Sequence, residues 1–479
     1  MNLTAECAWG LLRSAAVGVL ASGLAGPLSS LIANARKTER RAAWVLLLLP
    51  YLMPVVLVGY AWSNFSLSLV HHPVLNELLY AVLLVVKLTP VAVLVHYFAP
   101  SYLSGEAIHC RRLLAQGRQE RRPLRESLSF FIHGPARKTC VAFAVVFLFA
   151  FADFDLASLL NVRTWTVRLF DAQAGGLALS ASLRLAALPC VSETVLLLLV
   201  MAMLFGSRGS PRLALDHPKP PGRTRRCLRW AYLLFAVALA TVVPAVVVLR
   251  GTLSGFRVIA ENPALGKDIG TSILFAACAG GVSWLAAGWF LTRAEAGPRA
   301  KGRLLLAFLL SLPGLLGALL LALLVLSLFQ LTALRAAYDT PLPLFLALVL
   351  LLFPFAVLLR VLLNVFQGGE GLHAARLLGR SIDPRVRRSA RNLIWDMRTR
   401  GHFLVAALLF FWGYFDVVSS SLLAPSAMTP VFVRLYNLMH YGQIAGLSAM
   451  VLVALVVPLG LVGLAASARK LFIRLASHG

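Results

Sequence analysis

The chain has 479 residues, of which 59% are hydrophobic and 13% are charged, and its formal net charge is +26. An ordinary soluble domain carries about 25% charged residues, so this composition excludes a soluble globular protein, a disordered chain and a disulfide-stapled secreted module. In a soluble protein the positive charge would indicate a nucleic-acid partner. In so apolar a chain we expect no nucleic acid, and the charge must be explained by its position between hydrophobic segments.

Eleven stretches of about 20 mostly apolar residues are each long enough to cross a bilayer as a helix. Backbone groups in hydrocarbon need partners within the chain, and stretches of this length form helices rather than barrel strands. We therefore predict an all-α polytopic membrane protein with about 11 transmembrane helices. In chain order the stretches cover 11–33, 43–63, 76–98, 139–160, 177–205, 231–250, 269–292, 304–330, 342–364, 402–423 and 443–466.

Lys and Arg are unevenly distributed among the polar segments that separate these stretches. Six alternate segments hold 34 of the 45 Lys and Arg residues, whereas the six intervening segments hold 6. The positive-inside rule places the basic set in the cytoplasm, and an odd number of spans then puts the N-terminus outside and the C-terminus inside. Topology and contact with anionic lipid thus account for most of the charge. The basic segments are 34–41, 99–138, 206–229, 293–303, 365–401 and 467–479.

The two longest basic segments contain the same string of residues. Gly105 to Ala115 (GEAIHCRRLLA) matches Gly369 to Gly379 (GEGLHAARLLG), and both copies fall on the cytoplasmic side. We therefore predict two parallel pseudo-repeats related by an axis along the membrane normal. The first half, residues 1–229, has five spans and its loop at 99–138; the second half, residues 230–479, has six spans and its loop at 365–401. Three further matches occur later in the same order: Phe154-Asp155 with Phe415-Asp416, Val167 to Phe170 with Val433 to Tyr436, and Leu179 to Ala181 with Leu447 to Ala449.

At these loops the chain resembles the fused permease subunits of bacterial binding-protein-dependent ABC importers, of the ferric-iron and thiamine type. Such permeases carry a cytoplasmic EAA loop in each half, Glu-Ala-Ala followed by a Gly. The segment His373 to Gly379 keeps this pattern with His in place of Glu, whereas His109 to Ala115 has also lost the Gly. Neither copy keeps the Leu-Pro that usually comes next. The segments Phe151 to Phe170 and Thr429 to Gly442 resemble the regions C-terminal to the EAA loop in such permeases.

The resemblance implies a transport subunit of a bacterial inner membrane that is not an enzyme and has no catalytic or metal-binding residues. The solute would arrive on an external substrate-binding protein and cross between the two halves. Two copies of a cytoplasmic ABC ATPase would bind ATP and Mg, and this chain itself would bind no cofactor. The sequence agrees in one respect, because it contains no G-x-x-x-x-G-K-[ST] string that could cradle ATP phosphates.

The coupling to the ATPase is expected within loops 105–121 and 369–388. A short amphipathic helix can dock in a groove, with a Leu pair as apolar anchor and an Arg for an acidic rim. Gly379 would permit a left-handed turn at the helix end, and each Glu lies one turn before a His. The alternative is that Glu and His only cap a surface helix. The predicted residues are Glu106, His109, Arg112, Leu113 and Leu114, and in the second loop Glu370, His373, Arg376, Leu377, Leu378 and Gly379.

Ionisable residues at membrane depth are candidates for the translocation path. Lys87 lies in the middle of its span, and Asp155 and Asp416 lie near the outer ends of two spans at matched places of the repeat. Two facing acids would suit a cationic solute. The alternatives are a cap or a solvated helix end for the acids, and a pairing with a neighbouring helix for Lys87. Glu193 and Arg184 share one span but lie too far apart for an i,i+4 pair.

Two other functions remain open at this point. A secondary, ion-coupled transporter can also consist of two parallel six-helix halves, but such transporters usually have their longest loop between the halves. Here the longest loops lie within the halves, and segment 206–229 between them is shorter. A membrane-embedded enzyme acting on lipid would need clustered His, Asp and Glu at one interface, and the sequence does not indicate such a cluster.

Overall fold

A computed structural model describes residues 3–69, 71–98, 110, 135–205, 222–260, 264–294, 300–366, 369–394, 400–440 and 446–475. Every regular element within these ranges is helical, which confirms the predicted all-α class. The contacts divide the chain into two compact units, Met1–Val247 (unit 1) and Val248–Gly479 (unit 2). The boundaries of 1–229 and 230–479 predicted from the repeat stay a prediction.

The described residues of unit 1 form long helices and two short ones. In chain order they are α1 (Leu3–Asn34), α2 (Lys37–Leu52), α3 (Val55–Ser68), α4 (Pro73–Phe98), α5 (Pro135–Phe151), α6 (Asp155–Leu159), α7 (Trp165–Ala174), α8 (Leu179–Phe205) and α9 (Arg223–Val237). A π-helical turn, Ala238–Val242, joins α9 to α10 (Val243–Ala260), within which the boundary between the units lies.

Unit 2 has a similar succession of long and short helices. They are α11 (Ala264–Ala294), α12 (Ala300–Leu315), α13 (Ala318–Phe329), α14 (Leu342–Phe366), α15 (Gly369–Leu378), α16 (Pro384–Ile394), α17 (Arg400–Tyr414), α18 (Val418–Leu423), α19 (Val431–His440) and α20 (Leu447–Leu475). A single turn of 3₁₀ helix, Arg335–Ala337, lies between α13 and α14.

Among the described residues, seven helices are long and apolar enough to cross a membrane, or up to nine if each of two bent helix pairs is one span. The chain is therefore an α-helical membrane protein, as predicted. The count of eleven spans stays a prediction. The seven candidates are α1, α4, α8, α9 with the first half of α10, α11, α14 and α20.

Two predicted spans are broken near their middle. The stretch 43–63 forms α2 and α3, which are bent by 71°, and the stretch 304–330 forms α12 and α13, which are bent by 110°. Met53 takes an extended conformation because the ring of Pro54 disfavours helical backbone at the residue before it. Gly317, at the second break, has a φ of 92°, which glycine adopts at little cost.

Two more predicted spans are each divided into a helix and a short second helix. In the stretch 139–160, α5 is followed after a three-residue break by α6, and in the stretch 402–423, α17 is followed by α18 in the same way. Each break contains an Asp, Asp153 in one and Asp416 in the other. A hydropathy average over 20 residues does not detect a single acid, so the sequence predicted continuous spans.

Each unit is built around its first long helix. In unit 1, α1 packs against α4 and α5 through small residues, and Ala21 and Ala25 are fully buried. Gly18 lies against the ring of Phe143, where a Cβ would come within 2.9 Å of ring carbons. In unit 2, α11 packs against α14 and α17, and Ala279 is fully buried. Small residues allow helices to approach closely in lipid, where no hydrophobic effect drives association.

Several helix contacts within unit 1 have counterparts within unit 2 in the same chain order. The packing of α1 on α4 and α5 corresponds to that of α11 on α14 and α17. The α3–α6 contact corresponds to α13–α18, and the α7–α8 contact to α19–α20. The interior proline of α4, Pro90, has a counterpart in Pro354 of α14. Part of the contact order in unit 1 therefore recurs in unit 2.

Candidate functional site

A helical hairpin in unit 2, α15 with α16, carries the coupling residues predicted for the second loop. The two helices pack mainly against each other, and Ala375 and Ala390 are their buried positions. Leu377 and Leu378 at the end of α15 are 54% and 48% exposed. Two adjacent exposed leucines next to a turn form an apolar surface that nothing in the described part of unit 2 covers.

The surface of this hairpin is strongly basic. His373 is exposed, and the one acid in the turn, Asp383, caps α16 by accepting a hydrogen bond of 2.8 Å from the backbone N–H of Arg385. Glu370 lies in the first turn of α15. We call α15 and α16, with the turn between them, the basic hairpin. Its exposed arginines are Arg376, Arg380, Arg385, Arg387, Arg388 and Arg391.

The end of α15 differs from the prediction made for Gly379. Gly379 does not have a positive φ, so the expected left-handed turn does not form there. Instead the backbone N–H of Gly379 donates to the carbonyl of Ala375 at 3.0 Å, and that of Arg380 donates to the carbonyl of Leu377 at 3.0 Å. The helix therefore ends through ordinary turn hydrogen bonds, which other residues at this position could also make.

The corresponding residues of the first loop lie outside the residues that the structure describes. They are Glu106, His109, Arg112, Leu113 and Leu114. The predicted coupling residues that the structure describes are therefore those of the second loop.

Lys87 lies at the break between α2 and α3. Its ammonium group, on α4 and 6% exposed, donates to the carbonyl oxygens of Met53 at 2.6 Å and Pro50 at 3.3 Å. These carbonyls lie at the C-terminal end of α2, where the last carbonyls lack helical donors and the helix dipole is negative. Lys87 thus caps a helix that ends inside the protein. This is a pairing with a neighbouring helix, one of the alternatives for this residue; its role in the path stays a prediction.

A series of polar side chains extends from Lys87 along α4, and we call it the polar chain of unit 1. Arg13 on α1 donates to both carboxylate oxygens of Glu77 at 3.3 Å, and its guanidinium carbon lies 4.9 Å from the centre of the Tyr80 ring. The hydroxyl of Tyr80 donates to Oδ2 of Asp153 at 2.9 Å. Asp153 in turn lies close enough to Lys87 to interact electrostatically. The charges are therefore compensated within the chain, which reduces the free-energy cost of burying them.

Asp416 caps the short helix α18 by accepting hydrogen bonds from the backbone N–H of Ser420 at 2.9 Å and from its hydroxyl at 3.1 Å. In unit 1 the matching bond, from the N–H four residues on, is accepted by Asp153 from Ala157 at 3.2 Å. The string match had instead paired Asp416 with Asp155, which is the first residue of α6. The residue with the matching hydrogen bond is therefore Asp153, which the sequence analysis missed because the local string Phe-Asp occurs two residues later.

Each unit contains an acid–arginine pair at corresponding places. Arg168 on α7 donates to the carboxylate of Glu6 on α1 at 2.9 Å, and Arg434 on α19 pairs with Asp268 on α11. The two arginines belong to the matched strings beginning at Val167 and Val433. The acids were missed because no matched string surrounds them; the available signal was a single acid near the start of α1 and another near the start of α11.

Comparisons of the chain with known protein families, with curated proteins and with solved structures find no match. Within the described ranges, no group of three or more His, Cys, Asp or Glu side chains is placed to hold a metal ion. The features of the described residues that bear on function are the basic hairpin and the buried polar groups.

Proposed function

We propose that this chain is the fused membrane subunit of an ABC importer in a bacterial inner membrane. In this role it forms the translocation path for a small solute, which an external binding protein delivers. Two copies of a cytoplasmic ATPase bind ATP and Mg and drive the transport cycle, while this chain carries out no bond chemistry. The N-terminus lies outside and the C-terminus lies in the cytoplasm.

The observation that carries this proposal is the basic hairpin. An exposed leucine pair on a short helix, surrounded by arginines, is suited to an apolar groove with an acidic rim on a soluble partner. The hairpin lies in the chain between α14 and α17, so a force applied to it acts directly on two long helices of unit 2. A docking role also explains why two adjacent leucines, Leu377 and Leu378, are exposed in a basic segment predicted to lie outside the bilayer.

The matched order of helix contacts supports a parallel duplication of about 5 + 6 spans. The correspondence includes the bent pairs, the short helices after α5 and α17, and the acid–arginine pairs. Two equivalent halves would present two equivalent cytoplasmic loops, one for each of two identical ATPase subunits. In this proposal Lys87, Asp155 and Asp416 remain the candidates for the path, together with Asp153.

The test is copurification of an ATPase with the full-length chain from its native membrane. Replacing Leu377 and Leu378 by Asp is expected to abolish the copurifying ATPase activity, because a charged pair cannot enter an apolar groove. The matched control is Leu331→Asp, since Leu331 is 56% exposed in a segment predicted to be external. Loss of the ATPase from the double variant alone supports the proposal. A complex that survives in both variants, or a wild-type preparation without any ATPase, contradicts it.

A second candidate function is an ion-coupled secondary transporter, and the polar chain of unit 1 favours it. Buried ionisable residues at membrane depth are typical of ion or proton pathways. Unit 2 has no equivalent of this chain in its described residues: from the matched prolines Pro90 and Pro354, the position of Lys87 corresponds to Leu351. Transport by the purified chain in vesicles without ATP, abolished by a proton ionophore, would support this candidate over the importer.

A further inference from the structure

One helix of unit 1, α8, carries a carboxyl group on its buried side. The exposed side of this helix is a continuous apolar stripe made of Leu185, Leu188, Val191, Val195 and Leu198. The opposite side, which contacts α5, α7 and α1, holds the buried residues Ser182, Ala186, Glu193 and Leu197. Glu193 is 1% exposed and lies near the middle of this helix, which is a candidate membrane span. Its carboxyl group is therefore turned away from lipid and into the unit.

Neither carboxylate oxygen of Glu193 has a hydrogen-bond partner in the part of the chain that the structure describes. Two groups that lie close enough to Glu193 to interact with its charge are the thiols of Cys7, on α1, and Cys190, one turn earlier on α8. A thiol is a weak hydrogen-bond donor and carries no positive charge at neutral pH. Two uncharged thiols therefore cannot compensate an ionised carboxylate.

The charged residues on the neighbouring helices do not hydrogen-bond Glu193 either. On α1, Glu6 is bound to Arg168 of α7, and Arg13 is bound to Glu77. On α8 itself, Arg184 is exposed and nine residues away. The other charged residues on the helices packed against α8 are Arg137 and Lys138 on α5 and Asp171 on α7.

A buried carboxylate without a donor or a cation is far less stable than the neutral acid, because charge is costly to remove from water. The neutral acid carries no charge to be compensated, and protonation adds a single O–H donor that needs a hydrogen-bond acceptor. From these observations we propose that Glu193 is a proton-binding site, which carries its proton in the conformation seen here. The proton leaves when a movement of α8 brings the carboxyl to water or to a basic group.

This site belongs to unit 1. From the matched residues Leu179 and Leu447, the position of Glu193 corresponds to Leu461 on α20, which is 42% exposed. The proposal does not depend on the importer function. In an importer the proton would make the transport cycle depend on pH, whereas in a secondary transporter it would be a candidate coupling ion.

The experiment uses the reaction of a hydrophobic carbodiimide with protonated carboxyl groups. The full-length chain in lipid vesicles is treated with N,N′-dicyclohexylcarbodiimide at several pH values, and labelled peptides are quantified by mass spectrometry. We expect Glu193 to be labelled, and the labelling to fall about tenfold per pH unit once the carboxyl ionises. Glu6 and Glu77, which are both bound to arginine, are the comparators in the same chain and are expected to stay unlabelled.

A second measurement keeps the test independent of the reagent's access. Glu193→Gln imitates the neutral acid, so it is expected to keep the thermal stability of the wild type at mildly acidic pH. Raising the pH should then lower the stability of the wild type more than that of Glu193→Gln, because only the wild type acquires a buried charge. Labelling of Glu193 no stronger than that of Glu6, together with the same pH dependence in both proteins, would show that the carboxyl is ionised and would overturn the proposal.

Discussion

Arg168 on α7 donates a hydrogen bond of 2.9 Å to the carboxylate of Glu6 in the first turn of α1. The pair of Arg434 and Asp268 joins the corresponding helices of unit 2. In both units the acid is buried and the arginine is partly exposed. Each pair links a ten-residue helix, α7 in unit 1 and α19 in unit 2, to the first long helix of its unit.

We expect Arg168→Gln to lower the free energy of unfolding by about 1–3 kcal/mol, because it leaves the buried Glu6 carboxylate without its cation. The double variant Glu6→Gln/Arg168→Gln should recover part of this loss. The measurement is a double-mutant cycle of thermal stability in detergent, repeated with Asp268→Asn and Arg434→Gln. Effects that simply add in both units would show that the pairs do not stabilise these contacts.

The capping of α2 by Lys87 predicts a large effect of removing the ammonium group. Lys87→Met is expected to lower the free energy of unfolding by about 2–4 kcal/mol, since two buried carbonyl groups lose their hydrogen-bond donor. Leu351→Met, at the corresponding position of unit 2, keeps volume and polarity and should cost less than about 1.5 kcal/mol. Thermal unfolding in the same detergent compares the two variants. Equal stability of the two would mean that the carbonyls of Pro50 and Met53 do not need Lys87.

The close packing around Gly314 predicts that adding a single methyl group there lowers the stability of the protein. A Cβ at this position would overlap the carbonyl oxygen of Leu350 on α14, because α12 lies directly against that helix. Gly314→Ala should therefore lower the free energy of unfolding by about 1–3 kcal/mol. The control is Gly281→Ala: no atom lies within 4 Å of its added Cβ, and the helix propensity of alanine should stabilise it by up to about 1 kcal/mol. Both variants are compared by fluorescence-detected thermal unfolding, and a stable Gly314→Ala protein would contradict the close approach.

The predicted topology can be tested with cysteine labelling, although not with Cys7, which is only 2% exposed. His71 is exposed in a segment predicted to be external, and Cys227 is exposed in a segment predicted to be cytoplasmic. In backgrounds that retain one cysteine each, His71→Cys should react with an impermeant thiol reagent in intact cells. Cys227 should react only after the membrane is permeabilised. The reverse pattern would show that the predicted orientation is inverted. Labelling of both cysteines in intact cells would show that the predicted number of spans between them is wrong.

The sequence predicted the fold class well because long apolar stretches have few alternatives to a membrane helix. It did not predict the breaks within the spans, since a proline such as Pro54 or a single acid such as Asp153 changes an average hydropathy very little. Lys87 was recognised as unusual, but its partners were not. Those partners are backbone carbonyls on another helix, and only the packing of α4 against α2 brings them within reach.

The acid that corresponds to Asp416 shows a related limit of sequence matching. The string Phe-Asp is too short to fix a register where two acids lie only two residues apart, so it paired Asp416 with Asp155. Hydrogen bonding identifies Asp153, because the position relative to the next helix, and not the preceding residue, determines which carboxylate can cap it. Glu193 was visible in the sequence, but burial and the lack of a donor could be read only from the arrangement of α8.

The break between α2 and α3 also leads to an expectation about how the protein enters the membrane during synthesis. The 14 residues of α3 extend about 21 Å, which is less than the roughly 30 Å of hydrocarbon that a lone helix must cross. The carbonyls of Pro50 and Met53 emerge from the ribosome before Lys87, which later binds them. The segment from α2 to α3 is therefore incomplete until α4 has been made. We expect it to leave the translocation machinery together with α4, as one inserted unit rather than helix by helix.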